Sequence, residues 1–273
     1  MKFIDYSNVR KKVILIVLAI ISPVCAAKNP VGIGEDKYNV TIGYFLPAVN
    51  TKLRVDSATL GRGTSIDLED DLGLDEDQNT GQFNAYVRLA KRHRLGLGYF
   101  RLNRSASGVI DKTIQYGDLT FDIDTEVSAS LNNDIIFFNY MYSIYQKQDS
   151  ELALALGLHY MNTESSLSTS GGAISGNTKA DAPLPVIGVD YKLAATPKLH
   201  LGVLAQWFQV ESGDFEGSIR NIKTTAEYFV QNNVAIGVGY NDFDVKLDAS
   251  ATNFRGAFEW RYKGFQIFTS MRF

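Results

Sequence analysis

The chain has 273 residues, with 27 Lys and Arg against 30 Asp and Glu and a single cysteine. It therefore lacks the basic excess that nucleic acid would attract and the cysteine pairs that staple small exported domains. Its length allows one or two domains, and no Pro-, Gly- or Ser-rich linker divides it, which favours one.

The first stretch reads as an export signal. Lys2, Arg10, Lys11 and Lys12 form a basic start, Val13 to Ile21 an apolar core, and Cys25, Ala26 and Ala27 a small-residue exit. Ser22 and Pro23 break the apolar run after about nine residues, short of the roughly 20 that a spanning helix needs. A retained anchor is the weaker reading. Cys25 follows Val24, where a lipid-modified cysteine would follow a small residue. Residues 1–27 are thus expected to be cleaved, leaving 28–36 as a periplasmic segment and 37–273 as one barrel. Cleavage removes four basic residues and Asp5, which takes the formal charge from -3 to about -6.

After Pro30 apolar residues recur at every second position, the period of a strand with two unlike faces. The pattern predicts strands at 37–49, 79–90, 94–106, 125–145, 151–162, 180–194, 199–211, 217–230 and 234–248. In the second, Phe83, Ala85, Val87 and Leu89 oppose Gln82, Asn84, Tyr86 and Arg88. In the fifth, Leu152, Leu154, Leu156, Leu158 and Tyr160 oppose Ala153, Ala155, Gly157 and His159. The remainder, 253–273, changes phase at Lys263 and Gly264: Phe254, Phe258, Trp260 and Tyr262 are even, Phe265, Ile267, Met271 and Phe273 odd. A turn there would leave an odd strand number with the termini on opposite sides, whereas a β-bulge gives one long last strand and ten in all. Twelve is the alternative count.

The connections alternate too. Short turns at 91–94, 146–150, 195–198 and 231–233 take turns with mostly longer connections, the long ones near 50–78, 107–124 and 163–179. Transmembrane barrels have this asymmetry, with short periplasmic turns and long external loops. Aromatics near segment ends, among them Tyr142, Tyr160, Trp207 and Tyr240, suit the interfacial girdles of such a barrel. The expectation is an all-β protein, a closed antiparallel up-and-down transmembrane barrel; a soluble sandwich or lipocalin-like barrel is the competing reading.

The last residues, Phe265-Gln266-Ile267-Phe268-Thr269-Ser270-Met271-Arg272-Phe273, alternate and end on an aromatic carboxyl terminus. This resembles the terminal signal by which Gram-negative barrels meet their assembly machinery, with Phe273 as its key residue. The barrel as a whole resembles small outer-membrane proteins of the OmpX, OmpW or OmpA-barrel type. Segments such as Gly63-Thr64-Ser65-Ile66-Asp67-Leu68, Arg92-His93-Arg94-Leu95 and Ala182-Pro183-Leu184-Pro185 also resemble a little-characterised family of proteobacterial outer-membrane proteins. The resemblance implies residence in the outer membrane, contact with its lipid and lipopolysaccharide, and assembly by the barrel machinery. It implies no cofactor and no particular activity, and leaves any small-molecule ligand unnamed.

Catalysis has few candidates. His93 lies in the basic turn Lys91-Arg92-His93-Arg94, and His159 and His200 lie on the less apolar faces of strands, where a polar lumen network is the usual role. The His-x-Ser arrangement of one deacylase family is missing, since Leu95, Met161 and Gly202 stand two positions on. The acidic run Asp67, Glu69, Asp70 and Asp71 is a weak candidate for a divalent cation, but Gly73 is misplaced for an EF-hand loop and Gln78 replaces its final Glu. The expected lumen set is Arg88, His159, Asp190, Lys192, His200, Glu227, Arg255, Glu259 and Arg261. The leading expectation is a non-enzymatic barrel with a structural role or a narrow lumen for small molecules. A lipid-modifying enzyme and a surface adhesion protein are the rivals.

Overall fold

The computed structural model describes residues 32–213, 215–250 and 255–273. The expected signal peptide, and residues 28–31 of the segment expected to follow it, lie outside the described residues. In chain order the strands are β1 (Tyr38–Val55), β2 (Ile66–Asp67), β3 (Thr80–Ala90), β4 (His93–Val109), β5 (Ile114–Tyr116), β6 (Leu119–Phe121), β7 (Glu126–Gln146), β8 (Ser150–Thr169), β9 (Ser175–Ala194), β10 (Leu199–Ser212), β11 (Phe215–Phe229), β12 (Val234–Ser250) and β13 (Arg255–Arg272). Strands β2, β5 and β6 belong to connections. The other ten pair antiparallel, each with the next, and β13 returns to β1 from Asn39↔Arg272 through Val55↔Gly256. Closure leaves no sheet edge at the level of the lipid, the condition for strands to cross a membrane.

Ten strands is the expected count, but its expected cause is wrong. β13 keeps one unbroken register against both β1 and β12, so there is no bulge at Gly264. Even-numbered residues point inward along its whole length. What changes at Lys263 is the chemistry on each side: below it Phe265 and Ile267 face out and Gln266 and Ser270 face in, while above it Glu259, Arg261 and Lys263 face out and Phe258, Trp260 and Tyr262 face in. The outside has passed from lipid to water and the inside from a polar lumen to an apolar core.

Other strands invert in the same way. On β8 the outward run Leu152 to Tyr160 gives way to Asn162, Glu164 and Ser166. On β12 Ile236, Val238 and Tyr240 give way to Asp242, Asp244 and Lys246. The apolar run on β8 is roughly 27 Å along the strand, or roughly 21 Å along the membrane normal at about 40° of tilt, close to the ~25 Å band of outer-membrane barrels.

The wall therefore continues well above the lipid. The expected loop 163–179 is mostly strand, since β8 runs to Thr169 and β9 starts at Ser175, and 50–55 belongs to β1. Ser- and Thr-rich composition there reflects an outer face in water, not an absence of strand. Gly264 is needed for a different reason than a bulge: a Cβ would lie 2.1 Å from the Leu46 carbonyl oxygen and 2.6 Å from Pro47 Cα, so β1 approaches too closely for any side chain.

In one place the wall parts. Pairing of β9 with β10 stops at Ile187↔Trp207, although β9 continues to Ser175 against β8. The Ala194 amide donates to Asp149 on the β8 side, so by alternation the odd-numbered groups of β9 face β10. Pro183 and Pro185 are odd and have no N–H to offer, which ends the ladder there.

Candidate functional site

The short turns 91–92, 147–149, 195–198 and 230–233 and both ends of the described chain share one end of the barrel, the periplasmic end by the usual asymmetry. The interior has three levels, and the alternation of each strand decides which side chains enter them.

The floor is an ion-pair network. Arg88 of β3 reaches Glu151 at 2.9 Å and Asp36 at 3.4 Å, and Arg94 of β4 reaches Asp190 at 2.7 Å and Glu151 at 3.5 Å. Arg272 of β13 pairs with Glu227 and meets His200 Nδ1 at 3.0 Å. Such buried charges are tolerable because each is paired and further hydrogen-bonded. The segment 32–36 closes the floor, with Ile33 and Asp36 buried.

Of the residues expected in the lumen, Arg88, Asp190, Lys192, His200 and Glu227 come together here. Arg255, Glu259 and Arg261 do not: they stand exposed on the outer wall above the lipid, where Glu259 pairs with Lys246 at 3.8 Å and Arg261 with Asp244 at 3.2 Å. Assigning them inward follows from the supposed bulge. Asp36, Arg94, Glu151 and Arg272 are floor residues that the sequence reading missed, although parity with Gly96 and Gly98, with Ala153 and Ala155, and with Gln266 and Ser270 marks the last three as inward.

The middle level is lined by amides. Gln206 donates to Asn139 at 2.7 Å, Asn221 to Gln206 at 3.0 Å, Asn241 to Asn221 at 2.8 Å, and Gln82 to Gln266 at 2.6 Å. Two adjoining cavities of about 160 and 60 Å³ lie at this level, and inward Gly157 and Gly239 make room for the amides themselves, since a Cβ would lie 2.4 Å from Asn139 Oδ1 and 2.4 Å from Gln266 Nε2.

The ceiling is aromatic and joins opposite walls. Phe100 of β4 meets Tyr262 of β13 with ring centres 5.5 Å apart, and His159 of β8 stacks on Phe243 of β12 at 5.9 Å. Phe243 stacks in turn on Tyr262 at 4.7 Å. His159 faces inward as expected, but it packs edge-on to Phe137 within this plug, at the boundary with the amide level. Above the plug the interior is a packed apolar core, including Leu53, Leu102, Leu131 and Val245. One buried ion pair crosses it, Arg104 with Glu69, whose other oxygen accepts from the Thr51 amide at 2.7 Å.

That pair takes one carboxylate from the acidic run, and two others are also engaged. Glu69 turns inward to Arg104, Asp71 pairs with Lys112 at 2.6 Å, Asp67 lies 3.9 Å from Lys52, and Asp70 gives its amide to Asp67. Among the described residues no three metal-ligating side chains converge. The run serves to tie the connection 56–79 to the wall. His93 hydrogen-bonds the Tyr140 hydroxyl at 2.7 Å beside the first periplasmic turn.

Outside, Tyr99, Tyr160, Trp207, Tyr240 and Phe265 end the apolar band on one side, and Tyr142, Tyr145, Tyr191 and Tyr228 line the other. Cross-strand ion pairs sit just beyond the upper girdle, Arg101 with Asp134 and Arg220 with Asp242 at 3.2 Å. The sequence matches no protein-family model and no curated protein. Among solved structures, the outer membrane protease OmpT of Escherichia coli superposes with a TM-score of 0.54 at 13% identity, over 87% of this chain and 97% of that one. The chain is an outer-membrane β-barrel. More distant likenesses are the translocator domain of the autotransporter NalP from Neisseria meningitidis (TM-score 0.42, 9% identity, 98% and 96% covered) and Ail, the attachment invasion locus protein of Yersinia pestis (0.36, 8%, 85% and 98%). At these identities the likeness concerns the fold alone. The outer-membrane location agrees with the closed wall, the girdles and the apolar band.

Proposed function

We propose that this barrel is non-conducting and non-enzymatic, a structural element of the outer membrane with a small polar chamber for binding in its periplasmic half. The observation that carries this reading is the plug: aromatic side chains from opposite walls touch, and among the described residues a packed apolar core fills the outer half above them. The positions of the histidines favour a role without catalysis. His93 lies at a periplasmic turn, His159 inside the plug and His200 against Arg272, so none stands at the outer rim where a surface substrate would arrive. Its partners on this reading are outer-membrane lipid and lipopolysaccharide along the apolar band, and the assembly machinery at the strand ending in Phe273.

Single-channel recording of the refolded protein in a planar bilayer tests the plug. The expected trace has no discrete steps from demonstrably inserted protein. Stable steps at a moderate voltage would mean that a continuous water path exists and would replace this proposal with a channel.

A further inference from the structure

The two lumen cavities share Asn84, Leu204 and Lys223 and together run from the floor to the underside of the plug. Charge is unevenly settled along them. On the floor Asp36, Glu151, Asp190 and Glu227 are all within ion-pair distance of Arg88, Arg94 or Arg272. Those three arginines with Lys192 and Lys223 make five cations against four carboxylates, a surplus of one positive charge in a wall surrounded by lipid. Lys192 leans on Tyr86, its ammonium 4.3 Å from the ring centre and 3.3 Å from the hydroxyl. Lys223, inward on β11, makes no ion pair or hydrogen bond with any described residue and feels Glu227 and Asp190, both already held by arginines, only at longer range.

A cation with no contacting counter-ion, enclosed at the level of the hydrocarbon, is costly, and an anion brought beside it lowers that cost. The surroundings narrow the anion. The Asn84 amide and the Thr225 hydroxyl make no other hydrogen bond with described residues and line the same space as Lys223. Phe45, Phe100 and Phe137 close the far end of the smaller cavity with apolar rings. The arginines, which would recognise a phosphate dianion in bidentate fashion, already hold carboxylates.

We infer that the chamber binds a small monocarboxylate, its carboxylate on Lys223 and Asn84 and its apolar end beneath Phe45, Phe100 and Phe137. Cavities this size lie below the roughly 300 Å³ at which drug-sized pockets begin, which limits the ligand to a short or single-ring acid. The larger cavity is bounded at the periplasmic end by Ile33 of the segment 32–36, outside the barrel wall, so a ligand enters past this segment and not through the plug.

Benzoate is the probe, titrated calorimetrically into the refolded barrel in detergent, with benzamide as the neutral counterpart. Benzoate is expected to saturate one site, benzamide to bind at least tenfold more weakly, and Lys223→Met to lower benzoate affinity at least tenfold while Lys223→Arg retains most of it. Folding of each variant is checked by its heat-modifiable migration; if Lys223→Met does not fold, the benzoate and benzamide comparison on the unaltered barrel decides. Absence of saturable benzoate binding, equal binding of benzamide, displacement by equimolar chloride, or an unchanged affinity in folded Lys223→Met would overturn the inference. The inference deepens the binding half of the proposed function and fails separately from its plug. Current steps blocked by benzoate would sink the plug and leave the site.

Discussion

If the face inversion marks the upper limit of the lipid, one arginine placed on two levels of the same strand must have two different costs. Leu156 faces outward midway along the apolar run Leu152 to Tyr160 and is 58% exposed. Ser168 faces the same way on β8, roughly 40 Å farther along the strand. Leu156→Arg puts a cation at the bilayer midplane and should cost about 2–4 kcal/mol, a fall of roughly 30- to 1000-fold in the folding equilibrium. Ser168→Arg puts it in water on a wall that already carries Lys179 and Glu164, and should change stability by no more than about 0.5 kcal/mol. Urea unfolding of protein refolded into phosphatidylcholine vesicles, followed by the fluorescence of Trp207 and Trp260 and extrapolated to water, reads both. A cost above about 2 kcal/mol for Ser168→Arg would refute the placement of the boundary. So would a cost below about 0.5 kcal/mol for Leu156→Arg.

Tyr262 is fully buried among rings and its hydroxyl has no hydrogen-bond partner among the described residues. Tyr262→Phe is therefore expected to stabilise the barrel by about 1 kcal/mol in the same assay, and a loss of stability would show that the hydroxyl is satisfied. Glu69→Ala strands Arg104 in the outer core and frees the Thr51 amide, a loss of about 3–5 kcal/mol for a buried pair. It should expose 56–79 to added protease while the transmembrane fragment survives; cleavage at the wild-type rate would mean the pair does not anchor this connection.

Strand number, order and the inward side of most lower strands were legible in the sequence, because a strand between lipid and a polar lumen writes its two environments as strict alternation. Gln82, Asn84, Tyr86 and Arg88 against Phe83, Ala85, Val87 and Leu89 is enough to orient β3. The same rule misled at Lys263 and Gly264, where the apolar face changes sides without any break in the strand. Alternation reports only that two faces differ; it does not say which face meets lipid, and above the membrane the apolar face is the inner one. Arg255, Glu259 and Arg261 were misplaced for that reason, and the acidic run seemed free to hold a cation because Lys52, Lys112 and Arg104 are distant in sequence.

The sequence by itself determined a closed barrel of long strands, since period-two patterning is local and ten such segments bury their backbone groups only by closing. Which side chains meet across the lumen depends on the stagger of opposite strands, which no local pattern encodes. Tertiary structure alone decided that His159, Phe243 and Tyr262 form a plug. It alone decided that four carboxylates go to three arginines on the floor and that Lys223 is left facing an open chamber.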